Sequence, residues 1–129
     1  MTPNNSHPFR VLIVDDEFLI RWALRQALEV MGYGVIEAAD AASTRRAMAA
    51  AQPPDAVLLD YRLPDSNDLG LLSSIRRSRP EMPVIMMTAH GTPEMVKGAL
   101  DLGAYRIVSK PFEVQQVAEL VGEALKAAR

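Results

Sequence analysis

The chain contains no cysteine, which removes disulfides, thiolate metal ligands and cysteine nucleophiles and makes a reducing, cytoplasmic compartment the expected home. Its longest apolar stretches, such as Val11–Val14 and Val84–Met87, are far shorter than the roughly 20 residues needed to cross a bilayer, so no membrane contact is expected. Charge of one sign is also missing: 14 Lys and Arg stand against 16 Asp and Glu, for a net charge of -2. With no block of like charge, direct nucleic-acid binding by this domain is disfavoured. The two histidines, His7 and His90, form no zinc spacing. No glycine-rich loop ending in lysine is present to cradle a nucleotide phosphate. Residues 1–8 are polar, carry Pro3 and Pro8, and lack the basic start and apolar centre of a secretion signal. They are expected to form a flexible N-terminal tail ahead of one domain over residues 9–129.

What is present fits one globular domain: 129 residues, 49% hydrophobic and 23% charged, enough to bury a core. Five short apolar runs recur at intervals of roughly 20 to 25 residues: Val11–Val14, Gly34–Ala38, Ala56–Leu59, Val84–Met87 and Tyr105–Val108. Three of them are continuously apolar, as strands covered on both faces must be. Between them lie helical patterns. In the first, Ile20, Ala23, Leu24, Ala27, Leu28 and Met31 share one face, Arg21, Arg25 and Glu29 stack on another, and Gly32 is the stop. The second runs from a capping Asp40 to about Ala51, ahead of Pro53–Pro54. The third spans about Asp68 to Arg79. The fourth opens with Thr92 as cap and Pro93 at the first helical position and ends at Gly103. The fifth spans about Glu113 to Ala127. Alternating strands and helices with right-handed crossovers give an α/β fold, a doubly wound parallel sheet with helices on both faces.

Ligands of such sheets bind beyond the carboxyl ends of the strands, at the switch point of the winding. Those ends carry Asp15, Asp16 and Glu17, then Asp60, then Thr88 and Ala89, then Ser109, Lys110 and Pro111. Crowded carboxylates disfavour full ionisation, so positive charge must compensate. Lys110 supplies one cation, and a hard divalent ion such as Mg²⁺, which prefers oxygen ligands, supplies the rest. Asp60, alone at the end of its strand, is the candidate nucleophile toward a phosphoryl group, with Asp15 and Asp16 as metal ligands and Thr88 as hydroxyl donor to a phosphoryl oxygen. Taken singly, an acidic pair at a strand end fits a solvated helix start, and Lys110 fits a loop residue. Their joint placement on one sheet edge is what favours a site. His90 reads as an exposed loop residue, and the seven methionines as adaptable core filler.

Over about residues 9–127 the chain resembles the receiver domains of two-component response regulators. The resemblance rests on Val11-Leu-Ile-Val-Asp15-Asp16-Glu17, Leu58-Leu-Asp60-Tyr-Arg-Leu-Pro64, Val84-Ile-Met-Met-Thr88-Ala89, and Gly103-Ala104 followed by Lys110-Pro111-Phe112. The wording around Arg21-Trp22, Thr88–Gly91 and Ser109–Phe112 is most similar to receivers of transcriptional regulators. The resemblance implies a five-stranded flavodoxin-like sheet in the order 2-1-3-4-5. It implies that Asp60 accepts phosphate from a histidine kinase or phosphotransfer protein, and that Asp16, Asp60 and the Arg62 carbonyl bind Mg²⁺ with Asp15 assisting through water. It further implies a cis peptide at Lys110–Pro111. The readout would lie on helix four, strand five and helix five, acting on an output domain or downstream protein, with phosphorylation-dependent homodimerisation compatible with the family. The chain ends at Arg129 soon after the last helix, which suits either a single-domain regulator or part of a longer one.

Two positions depart from the family pattern. Ile107 stands where an aromatic usually precedes the lysine by three residues, with Tyr105, expected on the same face of an alternating strand, as its candidate substitute. Asn67–Asp68 replaces the common Asp–Gly pair, removing easy access to positive φ and altering the expected loop or helix start. Phe18, Leu19, Ile20 and Trp22 cannot all face the sheet. They form either a docking patch beside the acidic mouth or, for Trp22, a packing contact with neighbouring helices.

Competing functions fit less well. A haloacid-dehalogenase-like phosphatase needs a second carboxylate two residues after the nucleophile, where this chain has Arg62. A flavodoxin-like cofactor binder needs a first loop that welcomes phosphate, which Asp15 and Asp16 would repel. A receiver-like interaction module that works without phosphate stays open because of Ile107.

Overall fold

The computed structural model describes residues 8–128; most of the expected tail, residues 1–7, and Arg129 lie outside the described residues. Five strands and five helices alternate: β1 Arg10–Val14, α1 Phe18–Val30, β2 Gly34–Ala38, α2 Ala41–Ala49, β3 Ala56–Asp60, α3 Gly70–Ser78, β4 Val84–Thr88, α4 Pro93–Asp101, β5 Arg106–Ser109 and α5 Val114–Ala127. All pairings are parallel, in the order β2-β1-β3-β4-β5. That is the sheet expected from the residues and the resemblance.

Strand periodicity sorts the core into two layers. Leu12 and Val14 point to one side with Val57, Leu59, Val84 and Met86, under α2, α3 and α4. Val11 and Ile13 point to the other with Leu58, Ile85 and Met87, under α1 and α5. Because β3 and β4 are buried over their whole length, their sequences are apolar throughout apart from their last residues, Asp60 and Thr88. β2 and β5 lie at the edges, where Glu37 and the exposed Arg106 are tolerated.

Helix ends follow local chemistry. α1 and α4 both stop on a glycine in the left-handed region, Gly32 at φ 93° and Gly103 at φ 100°. In each, paired bonds close the last turn: Gly32 to Glu29 with Tyr33 to Leu28, and Gly103 to Leu100 with Ala104 to Ala99. Asp40 caps α2 through the Ser43 amide, and Thr92 caps α4 through the Met95 amide. Some expected boundaries shift. α2 ends at Ala49 because Ala50 is already extended, ahead of Pro53–Pro54. α3 begins at Gly70, two residues later than expected, because the Asp68 carboxylate turns back onto the Gly70 amide at 2.8 Å. Asp68 of the Asn67–Asp68 pair thus takes part in the start of α3.

Candidate functional site

At the carboxyl end of the sheet the winding reverses between β1 and β3, and a cleft of about 280 Å³ opens there. Asp16, Glu17, Asp60, Tyr61, Arg62, Thr88, Ala89, His90 and Lys110 are among its lining residues. Of the strand-end residues singled out from the sequence, Asp16, Glu17, Asp60, Thr88, Ala89 and Lys110 line the cleft and Asp15 meets Lys110 from beneath it, whereas Ser109 and Pro111 are not among the lining.

Asp15 is fully buried and Asp60 is 6% exposed, whereas Asp16 faces solvent. One carboxylate oxygen from each of Asp15, Asp16 and Asp60 lies within 4.8 Å of the others. An all-oxygen, all-anionic donor set of this kind fits a hard divalent cation. The peptide bond Lys110–Pro111 is cis. The Lys110 ammonium lies 2.8 Å from Asp15 Oδ2, 3.2 Å from Asp60 Oδ2 and 3.6 Å from Glu17 Oε1. One ammonium thus faces three carboxylates and sits closest to Asp15.

The electrostatics follow from this crowding. Burial, reinforced by the charge of Asp15 and only partly offset by Lys110, pushes the Asp60 carboxyl up from 3.8 to about 6. For Lys110, burial works to lower its affinity for the proton, but the hydrogen bond and charge of Asp15, with those of Asp60, prevail and raise it. Asp60 Oδ1 accepts a long bond from the Arg62 amide at 3.3 Å. Thr88 is buried, and its Oγ1 accepts from the His90 amide at 3.2 Å.

Further contacts shape the cleft. Asp15 Oδ1 accepts from the Glu17 amide at 2.9 Å, fixing the turn into α1. Arg21 reaches from α1 to the Asp15 carbonyl at 2.6 Å and to Glu37 on β2 at 2.9 Å, while Arg25 joins Glu37 at 2.6 Å. Arg25 and Glu29 pair as their spacing predicts, at 3.1 Å. The turn of Arg21 toward Glu37 and the Asp15 carbonyl escaped the sequence reading; the lone charge of Glu37 within an apolar strand was its signal.

Tyr105 does not stand in for the missing aromatic. It precedes β5 and packs against the layer under α1 and α5, whereas Ile107 packs against the opposite layer, under α2, α3 and α4. The strand begins one residue too late for the two to share a face. Phe18, Leu19 and Trp22 are 62%, 74% and 52% exposed. Beside them a groove of about 460 Å³, lined by Leu19, Ile20, Ala23, Pro111, Phe112 and Val114, adjoins Glu17 and Lys110 at the mouth of the cleft.

The fold is a doubly wound α/β domain with an acidic cleft at its switch point, and the sequence matches the response regulator receiver domain family over residues 11–122. The chain belongs to that family. It is 37% identical over 115 residues to the DNA-binding transcriptional regulator NtrC of Rhizobium meliloti, covering 89% of this chain and 24% of NtrC. To the probable transcriptional regulatory protein TcrX of Mycobacterium tuberculosis it is 36% identical, covering 88% of this chain and 48% of TcrX. The chain therefore spans about a quarter to a half of these regulators. Among solved structures, a CheY-like receiver domain protein from Methanospirillum hungatei superposes with a TM-score of 0.86 at 32% identity, covering 94% of this chain and 96% of that one. The receiver domain of NtrX from Brucella abortus gives 0.81 at 35% identity, covering 90% and 98%. Among the described residues no helix is long and apolar enough to cross a membrane.

Proposed function

We propose that the domain is a phosphoacceptor switch in which Asp60 receives a phosphoryl group from a partner histidine kinase or phosphotransfer protein. The observation that carries this reading is the Asp60 carboxylate on the cleft wall, 3.2 Å from Lys110 and within 4.8 Å of Asp15 and Asp16, with Thr88 beside it in the lining. An Asp60 oxygen attacks phosphorus, the bond from phosphorus to the donor's imidazole nitrogen breaks, and the imidazole leaves with that electron pair. Asp15, Asp16, Asp60 and the Arg62 carbonyl would hold Mg²⁺, which when bound neutralises charge on the phosphoryl oxygens.

The chain's own groups do the rest. Lys110, held by Asp15 at 2.8 Å and 3.2 Å from Asp60, offsets the added negative charge. Thr88 accepts from the His90 amide, leaving its hydroxyl hydrogen to be donated to a phosphoryl oxygen. Phosphate adds charge that Thr88 and Lys110 bind differently in two conformations, which is the condition for a population shift. The shift would be read on the α4-β5-α5 surface by an output domain, a downstream protein or a second copy of the domain. The sequence similarity to NtrC and TcrX supports a transcription-linked output in the cytoplasm.

The test is intact mass after incubation with a small phosphodonor, with and without Mg²⁺, for the unmodified protein and Asp60→Asn. One added phosphoryl group that requires both Mg²⁺ and Asp60 is expected. The replacement of the usual aromatic by Ile107 favours a second reading, a phosphate-independent interaction module. No adduct, together with no binding of beryllofluoride, would select it.

A further inference from the structure

The two loops that carry the acidic cluster are joined by a circuit outside the cleft. The Asp15 amide donates to the Ala38 carbonyl at the end of β2, at 3.1 Å. Three residues on, the Ala41 and Ala42 amides at the start of α2 donate to the Asp65 carboxylate at 2.7 and 3.1 Å. Asp65 sits at the tip of a tight turn closed by Leu63 and Ser66, whose amides and carbonyls bond each other at 2.7 and 3.2 Å. From that turn the chain leads back through Arg62, whose amide donates to Asp60. Asp40 already caps α2 through Ser43, so Asp65 satisfies the two remaining amides of the first turn with charge-assisted bonds. It is the one side chain in this circuit that ties the β3–α3 loop to the β1–β2 side of the cleft.

We infer that Asp65 is a positioning residue for the metal site: the β1–β3 ladder spaces Asp15 from Asp60, and by clamping the β3–α3 turn to the N-terminus of α2 Asp65 sets where the Arg62 backbone stands relative to them. Leu63 is buried at one end of the turn. Without Asp65 the turn loses its tie to α2 and shifts at its Leu63 end, and the Arg62 backbone, next to Leu63 in the chain, loses its fixed place. Mg²⁺ demands a near-ideal octahedron and responds to such loosening more than larger cations do. The inference rests on the proposed phosphoacceptor reading.

Calorimetric titration with MgCl₂ tests it, alongside urea unfolding without metal and the Mg²⁺ dependence of phosphorylation by a small phosphodonor. Asp65→Ala is expected to weaken Mg²⁺ binding about tenfold, the scale of supporting-contact losses at metal sites. The rate at saturating Mg²⁺ should stay near that of the unmodified protein while the half-saturating concentration rises. Asp65→Asn, which keeps one accepting oxygen, should fall between. Ala41→Pro attacks the same contact from the other side. It deletes the donor, while proline suits the first helical position and Asp40 before it is already extended. It too should weaken Mg²⁺ binding without melting α2. If Asp65→Ala and Asp65→Asn lose stability but bind Mg²⁺ within about twofold of the unmodified protein, Asp65 is only a helix cap and the inference fails. Absence of Mg²⁺ binding by the unmodified protein would instead overturn the phosphoacceptor reading and this inference with it.

Discussion

Replacing Asp60 with asparagine should stabilise the metal-free protein at neutral pH, although it destroys the proposed phosphoacceptor. The Asp60 carboxyl is raised from 3.8 to about 6 by burial and the charge of Asp15, net of the attraction of Lys110. A raised carboxyl binds its proton more tightly in the folded state, so folding is opposed once that proton is lost. The opposing free energy is absent below the unfolded value near 4, grows between pH 4 and 6, and is complete above 6. A shift of roughly two units corresponds to about 3 kcal/mol, or on the order of 10 °C in Tm for a domain this size. Asparagine is nearly isosteric and carries no charge, so it should recover most of that at pH 7.5 and almost none at pH 4. Urea unfolding of both proteins in chelator at the two pH values measures the difference. Mg²⁺ at about 100 times its Kd should then stabilise the unmodified protein by about 2.7 kcal/mol and narrow the gap. A metal-free Asp60→Asn protein that is no more stable at pH 7.5 would refute the electrostatic argument. A gain of equal size at pH 4 would assign the effect to packing instead.

Two further outcomes follow from the geometry. Gly103→Ala places a methyl group at φ 100° and 2.7 Å from Arg76 Nε, so thermal unfolding should show a loss of about 1–3 kcal/mol. Leu19→Ala and Ile20→Ala shorten the apolar wall of the groove beside the cleft mouth. Each should slow phosphotransfer from the partner about tenfold, as loss of an interface anchor does, while leaving phosphorylation by a small phosphodonor unchanged. Equal loss of both activities would mean the groove serves the site rather than the partner.

The sequence by itself determined the order of elements, because strands buried on both faces have to be continuously apolar and because Gly32, Gly103, Thr92–Pro93 and Asp40 terminate or start helices by local backbone chemistry. It also placed Asp15, Asp16, Asp60, Thr88 and Lys110 at strand ends, and a parallel sheet necessarily gathers those ends on one edge. What it left undecided depends on contacts between residues far apart in the chain. That Tyr105 falls on the opposite layer from Ile107 depends on where β5 begins pairing with β4, a matter of register across the sheet. That Lys110 sits nearer Asp15 than Asp60, and that Asp60 is held up to about 6, depends on burial and on charges brought together over many residues. The reach of Arg21 to the Asp15 carbonyl and of Asp65 to the start of α2 likewise has no periodic signature. Periodicity records which face of an element is buried; only the tertiary structure decides which polar groups meet across the gaps between elements, because those meetings are set by the packing of whole layers.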